Sequence, residues 1–166
     1  MRRRNLLLAV PALGLTACGF ALRQAPNYVF SKIVVRGVGD ASPLGNELKR
    51  NLLAGGKLEV ITDPKLADTA DVILEILLEQ RTKSVVGLTS AGQVREFQLR
   101  SRVKFRVRTP QGKELINDVE LIQERDVSYT ETQAAAKDAE MELLYRNMQS
   151  DIVQQIMRRL AAVKEL

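Results

Sequence analysis

The chain has 166 residues, 45% of them hydrophobic and 27% charged, which is typical of one globular domain with its own core. The formal net charge is +5, and Arg2, Arg3 and Arg4 supply three of those charges. Histidine and tryptophan are absent, and Cys18 is the single cysteine. The body of the chain therefore lacks the residues for imidazole or thiolate metal sites and for Ser/His or Cys/His catalytic pairs.

The first residues have the layout of an export signal. A basic stretch, residues 1–4, precedes an apolar run of about ten residues and then the small pair Thr16-Ala17. A membrane-spanning helix needs roughly 20 apolar residues, so a permanent transmembrane anchor is the weaker interpretation. We therefore predict that residues 1–17 are a signal peptide.

Cys18 ends the sequence Leu15-Thr16-Ala17-Cys18, which resembles a bacterial lipobox. A lipobox implies diacylglycerol on the Cys18 thiol, cleavage before Cys18 and acylation of the new amine. Two or three acyl chains hold a protein firmly to a bilayer, at ~0.8 kcal/mol per buried CH₂. By the same resemblance, Gly19 in place of aspartate implies the outer membrane. The alternative is an unmodified cysteine after a plain secretory signal.

The first elements of the body follow a short linker. Residues 18–27 lack periodicity, and we interpret them as the lipidated N-terminus and linker before a domain over residues 28–166. Residues 28–36 are rich in β-branched side chains and predict a strand. A helix is predicted to begin at Pro43, capped by Ser42, and to stop at Gly55-Gly56.

Strands dominate the middle of the chain, with a short one over residues 58–62 and a long one over residues 71–86. In the long strand we expect one side to face the core, namely Val72, Leu74, Ile76 and Leu78. The other side is then polar, with Glu75, Glu79, Arg81 and Lys83. A turn over residues 87–93 leads to a strand ending at Thr109, and Pro110-Gln111-Gly112 suits a hairpin turn to a last strand that ends near Ser128.

The final segment, residues 130–160, has apolar residues three or four apart and predicts a long helix. The order of elements predicts an α+β fold. We expect a two-layer sandwich with two helices packed on one face of a roughly four-stranded sheet.

A row of cations is the least ordinary feature of the sequence. Phe97, Leu99, Val103, Phe105 and Val107 alternate with five cations on the other side of the same strand: Arg100, Arg102, Lys104, Arg106 and Arg108. Such a row is suited to phosphates of anionic lipid or of a lipid-A headgroup. Nucleic acid is not expected as a partner, because no aromatic platform accompanies the row.

The alternative is that the hairpin neutralises this row itself. The turn predicts three opposite-charge pairs: Arg108 with Glu114, Lys104 with Asp118, and Arg102 with Glu120. Such pairs each stabilise a sheet by roughly 0.2–1 kcal/mol. Arg100 and Arg106 would face Ile122 and Ile116 and stay less compensated, which makes them the candidate binding residues of the row.

Several segments, taken in order, resemble the LptE family of lipopolysaccharide (LPS) assembly lipoproteins. They are Cys18-Gly19-Phe20-Ala21-Leu22-Arg23, the helix from Pro43 to Leu53 with Lys57-Leu58-Glu59-Val60, Ala91-Gly92-Gln93 before Glu96-Phe97-Gln98-Leu99, and Ala135-Ala136-Lys137-Asp138 ahead of Arg158-Arg159-Leu160. The resemblance covers nearly the whole mature chain.

The resemblance implies a non-enzymatic, lipid-anchored outer-membrane protein that sits as a plug in the lumen of the LptD β-barrel. There it would assist barrel assembly and LPS delivery to the outer leaflet. Its partners would be the barrel, LPS and outer-membrane lipid. The lipid on Cys18 would be its only attached group, with no separate cofactor or metal. A periplasmic hydrolase working with carboxylates, and a scaffold lipoprotein with another partner, are the alternatives.

The resemblance also implies LPS binding by basic residues at a hairpin tip and near the start of the last helix. Lys137 matches the second position. The tip, residues 88–93, contains no Lys or Arg, and the nearest cations are Lys83 and Arg95. The predicted LPS-binding residues are therefore Lys137 and Arg95, together with Arg100 and Arg106 of the cation row.

Overall fold

The structure is a computed structural model that describes residues 27–39 and 41–166. The predicted signal peptide, the lipidation of Cys18 and most of the linker lie outside the described residues. The elements in chain order are β1 (Lys32–Arg36), α1 (Pro43–Ala54), β2 (Glu59–Ile61), a 3₁₀ helix (Pro64–Thr69), β3 (Val72–Leu88), β4 (Val94–Arg108), β5 (Glu114–Ser128), a second 3₁₀ helix (Glu131–Gln133) and α2 (Ala134–Ala161).

The strands form one mixed sheet in the order β2-β1-β3-β4-β5. β1 runs parallel to both of its neighbours, whereas β3, β4 and β5 form an antiparallel meander. The predicted α+β class is confirmed. The sheet has five strands rather than the expected four, because the three-residue β2 also pairs with β1.

Local interactions fix where α1 begins and where β1 ends. Ser42 Oγ accepts a hydrogen bond from the Gly45 N–H at 3.1 Å, with Pro43 in the first turn, so α1 begins where the sequence predicts. β1 ends at Arg36, and the next residue, Gly37, has φ +79° and lies against β3. A Cβ atom there would lie 2.0 Å from the Ile76 carbonyl oxygen, so only glycine fits.

The main core lies between the sheet and the two helices. Its fully buried members include Phe105 from the sheet, Leu48 from α1, and Ile152 and Ile156 from α2. A smaller cluster on the other face consists of Val34, Ile61, Ala67, Ala70 and Ile73, beside the first 3₁₀ helix. The outer face of β3, β4 and β5 thus carries the cation row.

The two helices differ in length, and this leaves part of the sheet covered by one helix alone. Glu47 bonds to Ser150 and Asn51 bonds to Gln154, so α1 and α2 run parallel. α1 has 12 residues and α2 has 28. The first turns of α2 extend past the beginning of α1, where a third cluster joins Leu99, Val127, Met141 and Met148, with Phe97, Leu144 and Tyr145 against it.

A bulge in β3 corrects the predicted alternation. The register passes from Ile76 opposite Phe105 to Leu78 opposite Lys104, so Leu77 is an additional residue in β3. Beyond it the two sides exchange. Leu78 joins the side of Lys104, while Glu79, Arg81 and Lys83 lie on the side of the helices, contrary to the prediction.

Candidate functional site

The four predicted LPS-binding side chains lie in two separate places. Lys137 and Arg95 lie where the beginning of β4 meets the first turn of α2. The Tyr129 N–H donates to the Arg95 carbonyl at 2.8 Å, and Lys137 Nζ is 3.4 Å from the adjacent Ser128 Oγ. Arg100 and Arg106 lie on the outer face of the sheet, roughly 20 Å apart at 3.4 Å per residue. The structure therefore brings together the first two and not all four.

A third cation joins Lys137 and Arg95. Lys83 of β3 places its Nζ 4.5 Å from the centre of the Phe97 ring and 4.0 Å from Asp138 Oδ1. The Phe97 and Tyr129 rings meet edge to face, 5.0 Å between centres. We call Lys83, Arg95 and Lys137 the distal cluster. The sequence indicated Lys83 only as a nearby cation, because the bulge that turns it toward α2 was not predicted.

The three cations of the distal cluster differ in availability. Lys137 Nζ lies 2.8 Å from Glu140 Oε2 one turn later in α2, and Lys83 is held more loosely by Asp138. Arg95 is exposed and has no ion pair within the described part of the chain. Exposed ion pairs contribute only about 0–1 kcal/mol, so an anionic ligand competes readily for Lys83. The Lys137 side chain is only 18% exposed and is less accessible.

Each cation of the row on the outer face has a carboxylate partner. We call these five cations, together with their carboxylate partners, the paired stripe. Its contacts are Arg100 with Glu124 at 2.5 Å, Arg102 with Glu120 at 2.5 Å, Lys104 with Asp118 at 2.8 Å, and both Arg106 and Arg108 with Glu75, at 2.6 and 2.8 Å. The row is thus largely neutralised by the sheet itself.

The register of the paired stripe corrects the predicted one. Arg108 lies opposite Glu114 as predicted, but Phe105 lies opposite Val119, so three steps along β4 match five along β5. Arg102 is consequently opposite Ile122 and Lys104 is opposite Glu120. Both still reach the predicted acids, Glu120 and Asp118, by a diagonal contact.

The same register overturns the prediction that Arg100 and Arg106 are less compensated. The two-residue shift places Glu124, not Ile122, opposite Arg100. Arg106 turns instead toward β3, where Glu75 Oε2 accepts a hydrogen bond from its Nε. Neither guanidinium is therefore without a carboxylate.

Glu75 is the residue that the sequence did not single out. Its side chain is 14% exposed and accepts hydrogen bonds from Arg108 and Arg106. The hydrogen bond from Arg108, with that from Arg106, lowers the pKa of Glu75 from 4.5 to about 2, against the opposing effect of burial. The same contact raises the pKa of Arg108. Glu75 is therefore a fixed anion that two cations share.

No helix within the described residues is long and apolar enough to span a bilayer. In the same part of the chain, no three His, Cys, Asp or Glu side chains gather as metal ligands would.

The fold is one found in bacterial lipoproteins. The solution NMR structure of uncharacterized lipoprotein B from Nitrosomonas europaea is 32% identical with a TM-score of 0.73, over 87% of this chain and 91% of that chain. The crystal structure of rare lipoprotein B from Shewanella oneidensis is 22% identical with a TM-score of 0.66, over 80% and 95%. A minor lipoprotein from Acinetobacter baumannii is 22% identical with a TM-score of 0.64, over 82% and 94%.

The family is shown by the sequence as well. The model of the LptE family, described as Lipopolysaccharide-assembly, matches residues 30–160. A comparison with curated proteins gives no match. The chain belongs to the LptE family, and the resemblance stated from its sequence motifs is confirmed.

Proposed function

We propose that this chain is an LPS-assembly lipoprotein of the outer membrane that forms a complex with an LptD-like β-barrel. In that complex it assists assembly of the barrel and takes part in LPS transport and insertion at the outer leaflet. Residues 1–17 are removed, residues 18–27 carry the lipid on Cys18 and form the linker, and residues 28–166 are the working domain. The LptE match over residues 30–160 is the observation that carries this proposal.

The paired stripe supports the proposed seat inside a barrel. Barrel interiors are polar, so a plug needs a surface that is polar but not strongly charged. The outer face of β4 satisfies both conditions, because four carboxylates offset most of the charge of its five cations: Glu75, Asp118, Glu120 and Glu124. We therefore place this face against the inner wall of the barrel.

The distal cluster supports direct contact with LPS. Lys83, Arg95 and Lys137 come from three elements, and Lys83 Nζ lies over the Phe97 ring, which meets the Tyr129 ring edge to face. Guanidinium and ammonium groups bind phosphate with strong charge-assisted hydrogen bonds. Arg100 and Arg106 would first have to exchange Glu124 and Glu75 for phosphate, so we place them second to the distal cluster.

We propose a non-catalytic role for the domain. The sequence contains no histidine, and its one cysteine is the proposed lipid attachment site. The only strongly shifted carboxyl pKa in the described chain is that of Glu75, which is held low by two arginines and is thus a permanent anion rather than a proton carrier.

Purification of the tagged full-length chain from detergent-solubilised outer membranes tests the proposal. Recovery of a large β-barrel together with LPS is the expected result. Recovery of soluble periplasmic proteins alone would refute the barrel complex and favour a scaffold lipoprotein with another partner.

A further inference from the structure

The strand β5 forms one edge of the sheet, and this edge is long. β5 has 15 residues, whereas β2 at the opposite edge has three. From Val119 to Ser128 the pairing of β5 with β4 has no register shift, and this segment contains no proline, glycine or lysine. Alternate residues of an antiparallel edge strand direct their N–H and C=O groups away from the sheet. No strand among the described residues pairs with this side of β5, so these groups can accept a further strand.

The side chains of β5 differ between the two faces of the sheet. On the face toward the helices, Leu121 and Val127 are buried. The outer face of β5 has five acids and one aliphatic side chain, but no cation: Glu114, Asp118, Glu120, Ile122, Glu124 and Asp126. Ile122, in the middle of this series, is 46% exposed. The single cation of β5, Arg125, lies on the helix face, 3.6 Å from Asp151.

The cations of the paired stripe leave this edge acidic. Glu120 and Glu124 remain 36% and 41% exposed while they bind cations of β4. Asp126 has no ion pair in the described chain and accepts only a hydrogen bond of 3.3 Å from Gln98 Nε2. Neighbouring strands lie about 4.8 Å apart, so an added strand has the carboxylates of β5 directly beside it and β4 one strand further away. The edge therefore favours a segment with basic side chains on its outer face.

A second copy of this chain does not fit the edge. Two β5 strands brought together would place the acids of one outer face beside the acids of the other. Like charges directly opposite one another destabilise a sheet, whereas opposite charges stabilise it. In strand addition the backbone hydrogen bonds provide affinity and the alternate side chains provide specificity. The charges of β5 thus select a basic segment from another protein.

A shallow apolar groove lies at the beginning of β5. It has a volume of about 330 Å³ and is lined by Leu115, Ile116, Ala162 and Val163, with Arg159 also in its wall. Leu115 and Ile116 belong to β5, so the groove adjoins the edge itself. It provides a place for one apolar side chain at the end of an added segment.

We propose that β5 binds an extended segment of a partner protein as a sixth strand of the sheet. This segment carries lysine or arginine at alternate positions, which face the outer acids of β5, and an apolar side chain at the end that meets the groove. The inference goes beyond the proposed function, because it assigns a mode of binding and a partner chemistry that the proposed barrel complex does not require.

A synthetic peptide of about ten residues tests the proposal. In this peptide lysine alternates with valine and threonine, and fluorescence anisotropy measures its binding to the full-length chain in detergent. One control peptide is methylated at every backbone nitrogen, and a second has glutamate in place of lysine. We expect both controls to bind at least about tenfold more weakly. Equal binding of the methylated peptide would overturn strand addition, and equal binding of the glutamate peptide would overturn the basic partner.

Amide hydrogen exchange, followed by NMR, locates the bound peptide. We expect new protection at alternate amides of residues 119–128. Protection confined to other elements would overturn the assignment to β5. Protection of the same amides without peptide, increasing with protein concentration, would identify a second copy as the occupant and would also overturn the proposal.

A charge reversal tests the outer acids. Asp126→Lys breaks no ion pair within the described residues and should weaken binding of the lysine peptide about fivefold. The matched control is Asp68→Lys, which changes an exposed acid of the first 3₁₀ helix and should leave the affinity unchanged. Equal affinity of the two variants would overturn the role of the outer acids in selecting the partner.

Discussion

Glu75 of β3 and Arg108 of β4 form the least exposed ion pair of the described sheet, with Arg108 Nη2 donating to Glu75 Oε1 at 2.8 Å. Arg106 donates to the other carboxylate oxygen at 2.6 Å. Because the Arg108 Nε is buried without a hydrogen-bond partner in the described chain, this guanidinium depends strongly on Glu75. One carboxylate on β3 thus holds two cations of β4.

Glu75→Gln should lower the free energy of unfolding by about 2 kcal/mol at pH 7, because it leaves two guanidiniums without their anion. Glu124→Gln is the matched control. It removes the exposed partner of Arg100 and should cost about 0–1 kcal/mol. Urea unfolding at pH 7 measures both. Equal losses in the two variants would contradict the special role of Glu75.

The stability that Glu75 contributes should depend on pH. Its folded pKa of about 2 lies below the ordinary 4.5, so the contribution is complete above about pH 4.5 and is lost as the pH falls toward 2. The difference between the wild-type protein and Glu75→Gln should therefore shrink between pH 5 and pH 2. Urea unfolding curves across this range measure the difference, and a constant gap would show that the charge of Glu75 is not the cause.

Ile152→Ala should lower the free energy of unfolding by about 3 kcal/mol, since Ile152 is fully buried between α2 and the sheet and leaves a cavity when truncated. Leu143→Ala on the same helix removes a side chain that is 51% exposed, and should change stability by less than about 0.5 kcal/mol. Thermal unfolding of both variants compares them. Similar melting temperatures would contradict the assignment of the core face of α2.

Arg95→Gln should weaken LPS binding by the purified chain about tenfold, the effect expected when a charge-assisted hydrogen bond worth ~1.5 kcal/mol is lost. Arg100→Gln should have a smaller effect, because Glu124 already engages that guanidinium. Arg158→Gln serves as a charge-matched control. A larger loss for Arg100→Gln than for Arg95→Gln would move the LPS site from the distal cluster to the paired stripe.

Cys18→Ala should leave a folded domain that washes off membranes in high salt. Without the acyl chains, the charges of exposed basic side chains are the remaining attachment to the membrane, and high salt screens those charges beyond a few ångströms. Fractionation of membranes before and after the wash, with the wild-type chain beside it, measures this. Tight retention of the variant would refute lipid as the main tether.

Features that depend on neighbours in the sequence were predictable. The cap and bounds of α1 depend on Ser42, Pro43 and the glycine pair after Ala54, and the alternation of β4 requires only a period of two. The hairpin turn between β4 and β5 was likewise predictable from residues 110–112 alone. The family motifs were short and local, yet their order was enough to predict the LptE family.

Features set by pairing between strands were not predictable. The extra residue at Leu77 in β3, and the two extra residues early in β5, depend on which partner residues pack best across the sheet. As a result, the sequence placed Lys83 on the wrong side and left Arg106 without its acid. Glu75 was visible as a polar residue of β3, but its two partners lie on another strand, more than 30 positions away.

The single inserted position at Leu77 divides β3 into two segments with opposite orientations. Before Leu77, the aliphatic side chains of Val72, Leu74 and Ile76 point toward the helices and pack in the main core. After Leu77, the same side carries Arg81, whose guanidinium donates a hydrogen bond to Gln149 and lies over the Tyr145 ring. The second segment of β3 is therefore held against α2 by polar contacts rather than by apolar packing. Deletion of Leu77 would turn the side chains of the second segment to the opposite face of the sheet. Arg81 would then point to solvent, and this segment would lose its contacts with Gln149 and Tyr145.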